Sequence, residues 1–178
     1  MLYPEANAMS YDARSDLPYP DIDDVLISEK DVKLLMTVYA GRDSETTSFL
    51  TYLYQHYILK PVDEELSETL ELFSIVEMIH HDLIGNLIAK MGGSPVFSDN
   101  KDFWKGNYVV YAKDIKAIIE HDIELEKKSI SDYNNILENT ENEVVRTTVE
   151  RILLDEQIHL KTFEKLRETV NSDLLGNP

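Results

Sequence analysis

Leu66-Ser-Glu-Thr-Leu70-Glu-Leu-Phe73-Ser-Ile-Val-Glu77-Met-Ile-His80-His-Asp-Leu-Ile84-Gly-Asn-Leu87-Ile-Ala-Lys-Met91 is the stretch on which the fold turns. Leu66, Leu70, Phe73, Glu77, His80, Ile84, Leu87 and Met91 recur in alternating steps of four and three. That spacing places them on one helix face, the seam of a packed bundle. The helix is predicted to start near Asp63 and to stop at Gly92-Gly93-Ser94-Pro95. Two seam positions are ionisable, Glu77 and His80. Residues three apart share a helix face, so this carboxylate and imidazole point the same way.

The pattern recurs downstream. Glu156-Gln157-Ile158-His159 sits in a second seam of Val145, Val149, Ile152, Glu156, His159, Phe163 and Leu166. A lone glutamate precedes each motif at a similar separation, Glu45 before the first and Glu126 before the second. Glu45 lies on a helix predicted from the N-cap Ser28 to Leu59, with the stripe Leu35, Val38, Glu45, Phe49, Tyr52, His56 and Leu59. Glu126 lies on a helix from about Ala112 to Asn139, with the stripe Ile115, Ile119, Asp122, Glu126, Ser129/Ile130, Tyr133 and Leu137. The last helix opens at the capping-box sequence Thr140-Glu141-Asn142-Glu143 and runs to about Val170. A tyrosine follows each lone glutamate by seven residues, Tyr52 after Glu45 and Tyr133 after Glu126. The chain therefore reads as two copies of one helical hairpin.

Residues 92–111 form a connection long enough to cross over between helices that are not antiparallel neighbours. Its aromatics, Phe97, Phe103, Trp104, Tyr108 and Tyr111, predict that it packs down on the bundle. No strand pattern competes. The expected fold is all-α, a four-helix bundle with one long crossover between helices 2 and 3. Residues 1–27, with Tyr3-Pro4 and Leu17-Pro18-Tyr19-Pro20, have no helical period and read as an extended arm, draped over a neighbouring subunit or mobile. Residues 28–170 are the bundle and 171–178 a short tail.

Composition narrows the partners. The chain has 178 residues, enough for one domain with a sizeable core. Its net charge of −17 argues against nucleic acid and anionic membranes, both of which require a basic surface. The lack of cysteine excludes disulfides, thiolate zinc sites and iron–sulfur clusters. No secretory signal is visible, and no apolar stretch approaches the ~20 residues of a membrane span. A cytoplasmic soluble protein is expected.

Four carboxylates and two imidazoles aimed into a bundle core need positive charge. Unpaired buried ions cost several kcal/mol each, against a total stability of about 5–15 kcal/mol. The simplest solution is a pair of metal ions held by Glu45, Glu77, His80, Glu126, Glu156 and His159. Mixed oxygen and imidazole donors suit iron, manganese or zinc, and the absence of thiolates disfavours copper(I). His81 falls off the stripe and reads as a surface or interface residue, His121 with Glu120 and Glu124 as a solvated face, and His56 as a hydrogen-bonded core histidine. Tyr52 and Tyr133 either bond to site carboxylates, act as redox groups or fill the core. Asp122 either supports the site from behind or lines an access path.

These residues carry a resemblance. Asp122-Ile-Glu-Leu-Glu126 with Ile152-Leu-Leu-Asp-Glu156-Gln-Ile-His159, and Glu77-Met78-Ile79-His80, are similar to bacterioferritins. The Glu-to-Tyr spacing and Leu83-Ile-Gly-Asn-Leu-Ile-Ala-Lys-Met-Gly-Gly-Ser-Pro95 look more like rubrerythrin and manganese-catalase relatives. The resemblance, over residues 30–170, is to the ferritin-like superfamily of di-iron and di-manganese carboxylate proteins. It implies terminal ligands at Glu45 and Glu126, bridging ligands at Glu77 and Glu156, and one metal for each of His80 and His159. It implies that Asp155 orients His80. The matching position ahead of Glu77 is Val76, a departure that leaves the partner of His159 open. Met78 occupies the haem-ligand position of bacterioferritins and should face outward, but the mixed resemblance argues against haem.

The resemblance further implies a homo-oligomer, at least a dimer, and a di-iron oxidoreductase of ferroxidase or peroxidase type. Its partners would be Fe(II), oxygen or hydrogen peroxide, in iron handling or oxidative-stress defence. Without cysteine, a reductase cycle would need an external electron donor. The alternatives are a manganese-type catalase with two manganese ions and a non-catalytic, metal-stabilised storage or coat protein. A metal-free structural bundle is the remaining reading.

Overall fold

The computed structural model describes residues 13–175, and the side chains of residues 13–171. Five α-helices carry the described chain: α1 Glu29–Ala40, α2 Glu45–Leu59, α3 Glu64–Lys90, α4 Ile115–Asn139 and α5 Glu143–Leu175. Helices α2 to α5 form the four-helix bundle. Within it, α2 packs on α3 and α4 on α5, the two hairpins expected from the internal repeat. The crossover joins α3 to α4.

The predicted first helix is two helices. Ser28 caps α1 as expected, its hydroxyl accepting from the Asp31 amide. Gly41 then turns the chain out of the helix. A Cβ there would lie 2.3 Å from the Thr37 carbonyl oxygen, so only glycine fits. Side chains after the break take up carbonyls at the end of α1: Ser44 donates to Gly41 at 2.8 Å and Thr46 to Tyr39 at 2.7 Å. Gly41-Arg-Asp-Ser44 is a stop followed by an N-cap residue, a signal that the continuous stripe concealed.

Asp63 and Asp114 cap α3 and α4 by accepting from Leu66 and Ala117 amides. The predicted capping box at α5 does not form as drawn. The helix begins at Glu143, and the Thr140 hydroxyl accepts from Asn142, while Arg146 donates to the Thr140 and Leu137 carbonyls at the end of α4. Helix α5 continues to Leu175, past the boundary expected near Val170.

All eight seam residues of α3 are buried. The helix is long and apolar enough to cross a membrane by length and composition, contrary to expectation. In the fold those seam residues face the bundle interior, and they include Glu77 and His80. The core divides into two apolar halves. One half contains Leu35, Ile84, Leu87, Ile136, Val145 and Ile152, and the other Leu59, Leu70, Phe73, Ile119, Ile123 and Phe163. On α3, Glu77 and His80 fall between Phe73 of one half and Ile84 of the other; on α4, Glu126 falls between Leu125 and Tyr133; and on α5, Glu156 and His159 fall between Leu153 and Phe163.

The crossover packs down in part. Trp104 donates its indole N–H to Thr47 at 2.9 Å and Phe97 stacks on His81, but Phe103 is 72% exposed. The described part of the N-terminal arm lies on its own bundle, and Lys90 pairs with Asp23 at its outer end. The segment with Tyr3 and Pro4, and the last three residues of the predicted tail, lie outside the described residues.

Candidate metal centre

Each hairpin delivers three ligand-type side chains to the mid-bundle. Glu45 comes from the first turn of α2, Glu77 and His80 from mid-α3, Glu126 from mid-α4, and Glu156 and His159 from mid-α5. All six are 3% exposed or less. Their ligand atoms form two groups, Glu45, Glu77, His80 and Glu156, and Glu77, Glu126, Glu156 and His159, with donor atoms within 4.8 Å of one another. Glu77 and Glu156 belong to both groups, while each group has its own histidine and its own lone glutamate.

The imidazoles show which nitrogen faces the cluster. His80 Nδ1 lies 3.1 Å from Glu156 and 3.4 Å from Glu77. Its Nε2 lies 3.1 Å from Asp155, as expected from the sequence. His159 Nδ1 lies 2.9 Å from Glu77, and its Nε2 lies 2.8 Å from the Ala13 carbonyl. A carbonyl oxygen only accepts, so His159 carries a proton on Nε2. The Asp155 carboxylate fixes the same tautomer in His80. Both rings therefore turn Nδ1 inward.

The tyrosines are crossed between hairpins. Tyr52 of α2 donates to Glu126 of α4 at 2.5 Å, and Tyr133 of α4 donates to Glu45 of α2. Each lone glutamate is thus oriented by the tyrosine of the other repeat. Both hydroxyls bond site carboxylates, and both rings also pack within the apolar core. Burial, then the charge of Glu126 or Glu45, holds both phenols well above the usual tyrosine range.

The buried groups shift one another's proton affinity. Burial and the neighbouring Glu77 charge raise Glu45 well above the usual carboxylate range, and burial with the Glu77 and Glu126 charges does the same for Glu156. Burial opposes the Glu77 charge too, but hydrogen bonds from His159 and His80 outweigh it and hold that carboxyl below its ordinary value. Burial likewise opposes the two imidazolium charges. The Asp155 and Glu156 carboxylates around His80, and the Glu126 and Glu77 carboxylates around His159, nevertheless raise both histidines.

One oxygen each of Glu45 and Glu126, and both oxygens of Glu156, are buried without a hydrogen-bond partner. Native interiors leave few such atoms, and each calls for an explanation. Unshared carboxylate oxygens converging with two inward Nδ1 atoms are a donor set that fits two divalent cations of the iron or manganese kind.

A further layer was only partly legible in the sequence. Asp155 accepts from the Ser15 amide at 2.7 Å, the Tyr19 hydroxyl at 2.6 Å and Arg151 at 2.7 Å, besides His80. Burial alone would raise this carboxyl, but the bonds from His80, Tyr19 and Ser15 lower it to about 2. Asp122 is buried and accepts from Gln55 at 2.9 Å, with His121 at 3.1 Å, one turn from Glu126 and outside the two ligand groups. His121, expected on a solvated face, is thus joined to a buried carboxyl. His81 is not a plain surface residue either, being stacked on Tyr39 at 4.3 Å between centroids. His56 is a hydrogen-bonded core histidine, as expected, with Ser67. Met78 faces outward at 43% exposure.

The rubrerythrin family model matches residues 40–167, the span that holds all six ligand-type residues. The chain belongs to the rubrerythrin family. No curated protein matches it in sequence. Among solved structures, the manganese catalase KatB from Anabaena PCC7120 is similar with a TM-score of 0.78 at 18% identity, over 89% of this chain and 80% of that one. A wild-type KatB structure gives a TM-score of 0.73 at 16% identity, over 96% and 81%. The Desulfovibrio desulfuricans bacterioferritin, described with a diiron site in different catalytic states, gives 0.70 at 25% identity, over 86% and 85%. At these identities the catalase likeness concerns the fold alone. The resemblance read from the sequence, to ferritin-like di-metal carboxylate proteins, is borne out.

Proposed function

We propose that this rubrerythrin-family chain is a dinuclear-metal oxidoreductase, most simply di-iron, that reduces hydrogen peroxide or oxygen. The observation that carries it is the pair of overlapping donor groups sharing Glu77 and Glu156. Shared carboxylates would hold two cations close together, and a private histidine and glutamate would complete each side. Glu45, Glu77, His80 and Glu156 would hold one metal, and Glu77, Glu126, Glu156 and His159 the other. Bound there, the metals would supply the electron exchange with the oxidant.

The chain's own groups prepare that exchange. Inward Nδ1 atoms offer lone pairs once their protons leave, so metal uptake releases protons. Tyr52 and Tyr133 anchor one oxygen of each lone glutamate and leave the other free to bind. The two apolar core halves wall the site from bulk water. These 178 residues hold no cysteine, so a reductase cycle would draw its electrons from outside them. Membership of the rubrerythrin family and the likeness to a diiron bacterioferritin support iron over manganese.

The test is anaerobic titration of metal-free protein with Fe(II), followed by hydrogen peroxide or oxygen. Two Fe(II) per chain and a rise of ferric absorbance with consumption of the oxidant are expected. Absence of both above background refutes the proposal. Oxygen evolution from peroxide by the Mn(II)-loaded protein, with inert iron, would instead make it a manganese catalase.

A further inference from the structure

The N-terminal arm reaches both site histidines from behind. The two repeats are closely matched in their ligands and crossed tyrosines, but they differ one residue ahead of the shared glutamates. Asp155 precedes Glu156 and bonds His80 Nε2, whereas Val76 precedes Glu77 and has no acceptor to offer. His159 Nε2 meets the Ala13 carbonyl at 2.8 Å instead. Two residues further on, the Ser15 amide donates to Asp155 Oδ1 at 2.7 Å. Tyr19 donates to Asp155 Oδ2 at 2.6 Å, the same oxygen that His80 Nε2 approaches. Arg151 fastens this stretch to α5, donating to the Leu17 carbonyl at 2.7 Å and the Ser15 carbonyl at 2.9 Å, with its guanidinium 4.3 Å from the Tyr19 ring centroid.

We propose that residues 13–19 are a positioning strap that sets the tautomer of both site histidines, the Ala13 carbonyl serving His159 and the Ser15–Tyr19 stretch serving His80 through Asp155. This rests on the reading of the cluster as a metal centre and goes beyond it. An imidazole is held as a metal ligand by what its other nitrogen bonds to, and loss of that partner costs ~10–100-fold in metal affinity. A backbone carbonyl from the strap does for one half what an aspartate does for the other. Strap and site are thus coupled: whatever displaces residues 13–19 frees both rings to turn or change tautomer.

The strap is tested by histidine-selective nitrogen-15 NMR of otherwise full-length protein, metal-free and loaded with Zn(II) as a diamagnetic probe. Wild type should show two slowly exchanging Nε2–H protons. Deleting residues 1–14, with the initiator Met then standing at position 14, removes the carbonyl at position 13 and leaves Ser15, Tyr19 and Arg151. The His159 Nε2–H signal should then be lost to exchange, the His80 signal should persist, and Zn(II) affinity should fall about tenfold. Adding Val76→Asp to the deletion should return the His159 signal. Tyr19→Phe, which keeps Ala13, should shift the His80 signal and spare that of His159. A His159 signal unchanged by the deletion overturns the proposal. Equal loss at both rings does so as well, since the strap would then merely stabilise the fold. The metal-free spectra test the strap even if Zn(II) does not bind, an outcome that would count against the metal centre alone.

Discussion

Glu156→Leu should make the metal-free protein more stable and the metal-loaded protein less so. Both Glu156 oxygens are buried without a well-formed hydrogen bond, Oε1 only facing His80 Nδ1 at 3.1 Å. Leaving a buried polar group unsatisfied costs about 1–3 kcal/mol, which leucine of similar length recovers. In a chain of this size each kcal/mol moves the melting temperature by about 2–4 °C, so the metal-free variant should melt roughly 2–12 °C higher. His80 keeps partners in Asp155 at 3.1 Å and Glu77 at 3.4 Å, so no imidazolium is stranded. The gain also depends on pH. Burial and the Glu77 and Glu126 charges raise the folded carboxyl above its ordinary value of 4.5. Above that pH the unfolded chain releases a proton that the folded chain retains. The wild type therefore loses stability as pH rises from 4.5, and the advantage of leucine widens over the same interval. With metal bound the sign reverses. A ligand at 100 times its Kd adds about 2.7 kcal/mol, and the variant forfeits much of that by losing a shared carboxylate. The assay is thermal unfolding by circular dichroism, with a chelator and then with anaerobic Fe(II). A lower melting temperature for the metal-free variant would refute the argument, because Glu156 would then be a structural partner rather than a ligand in waiting.

Three further outcomes are expected. Gly41→Ala should cost about 1–3 kcal/mol through its clash with the Thr37 carbonyl; an unchanged chemical-denaturation midpoint would show that α1 and α2 need no break there. Tyr133→Phe and Tyr52→Phe remove matching hydroxyl donors from Glu45 and Glu126, so they should weaken Mn(II) binding, read by calorimetry, to a similar degree; an effect confined to one of them would break the symmetry of the two halves. Burial lowers the His81 imidazole to about 4. Its folded value lies below the unfolded 6.5, so stability present above 6.5 is lost as pH falls toward 4, and His81→Phe should lessen that acid sensitivity in urea titrations at several pH values.

Much of the site was legible because helical phase is a local property. The alternating steps from Leu66 to Met91 fix which residues share a face, and Glu77 and His80 fall in phase with Phe73 and Ile84. The same reasoning finds Glu45, Glu126, Glu156 and His159, and the i, i+7 tyrosines mark the repeat. It failed where a phase runs through an interruption. The stripe of the first predicted helix continues in register across Gly41–Ser44, although the backbone does not. It failed again at His121 and His81, whose off-stripe positions do not exclude contact with a neighbouring buried carboxyl or an aromatic nest.

The sequence by itself determined four helical seams, six ligand-type side chains in phase with them, and a chemistry that proton or metal charge must complete. Only the tertiary structure decided how the halves interlock. The crossing of Tyr52 to Glu126 and Tyr133 to Glu45 depends on the packing of two hairpins distant in sequence. The contact between Ala13 and His159 spans 146 positions and uses a backbone carbonyl, a group every residue carries. No residue pattern can announce it. The sequence showed only the vacancy at Val76, and the folded arm supplied the acceptor.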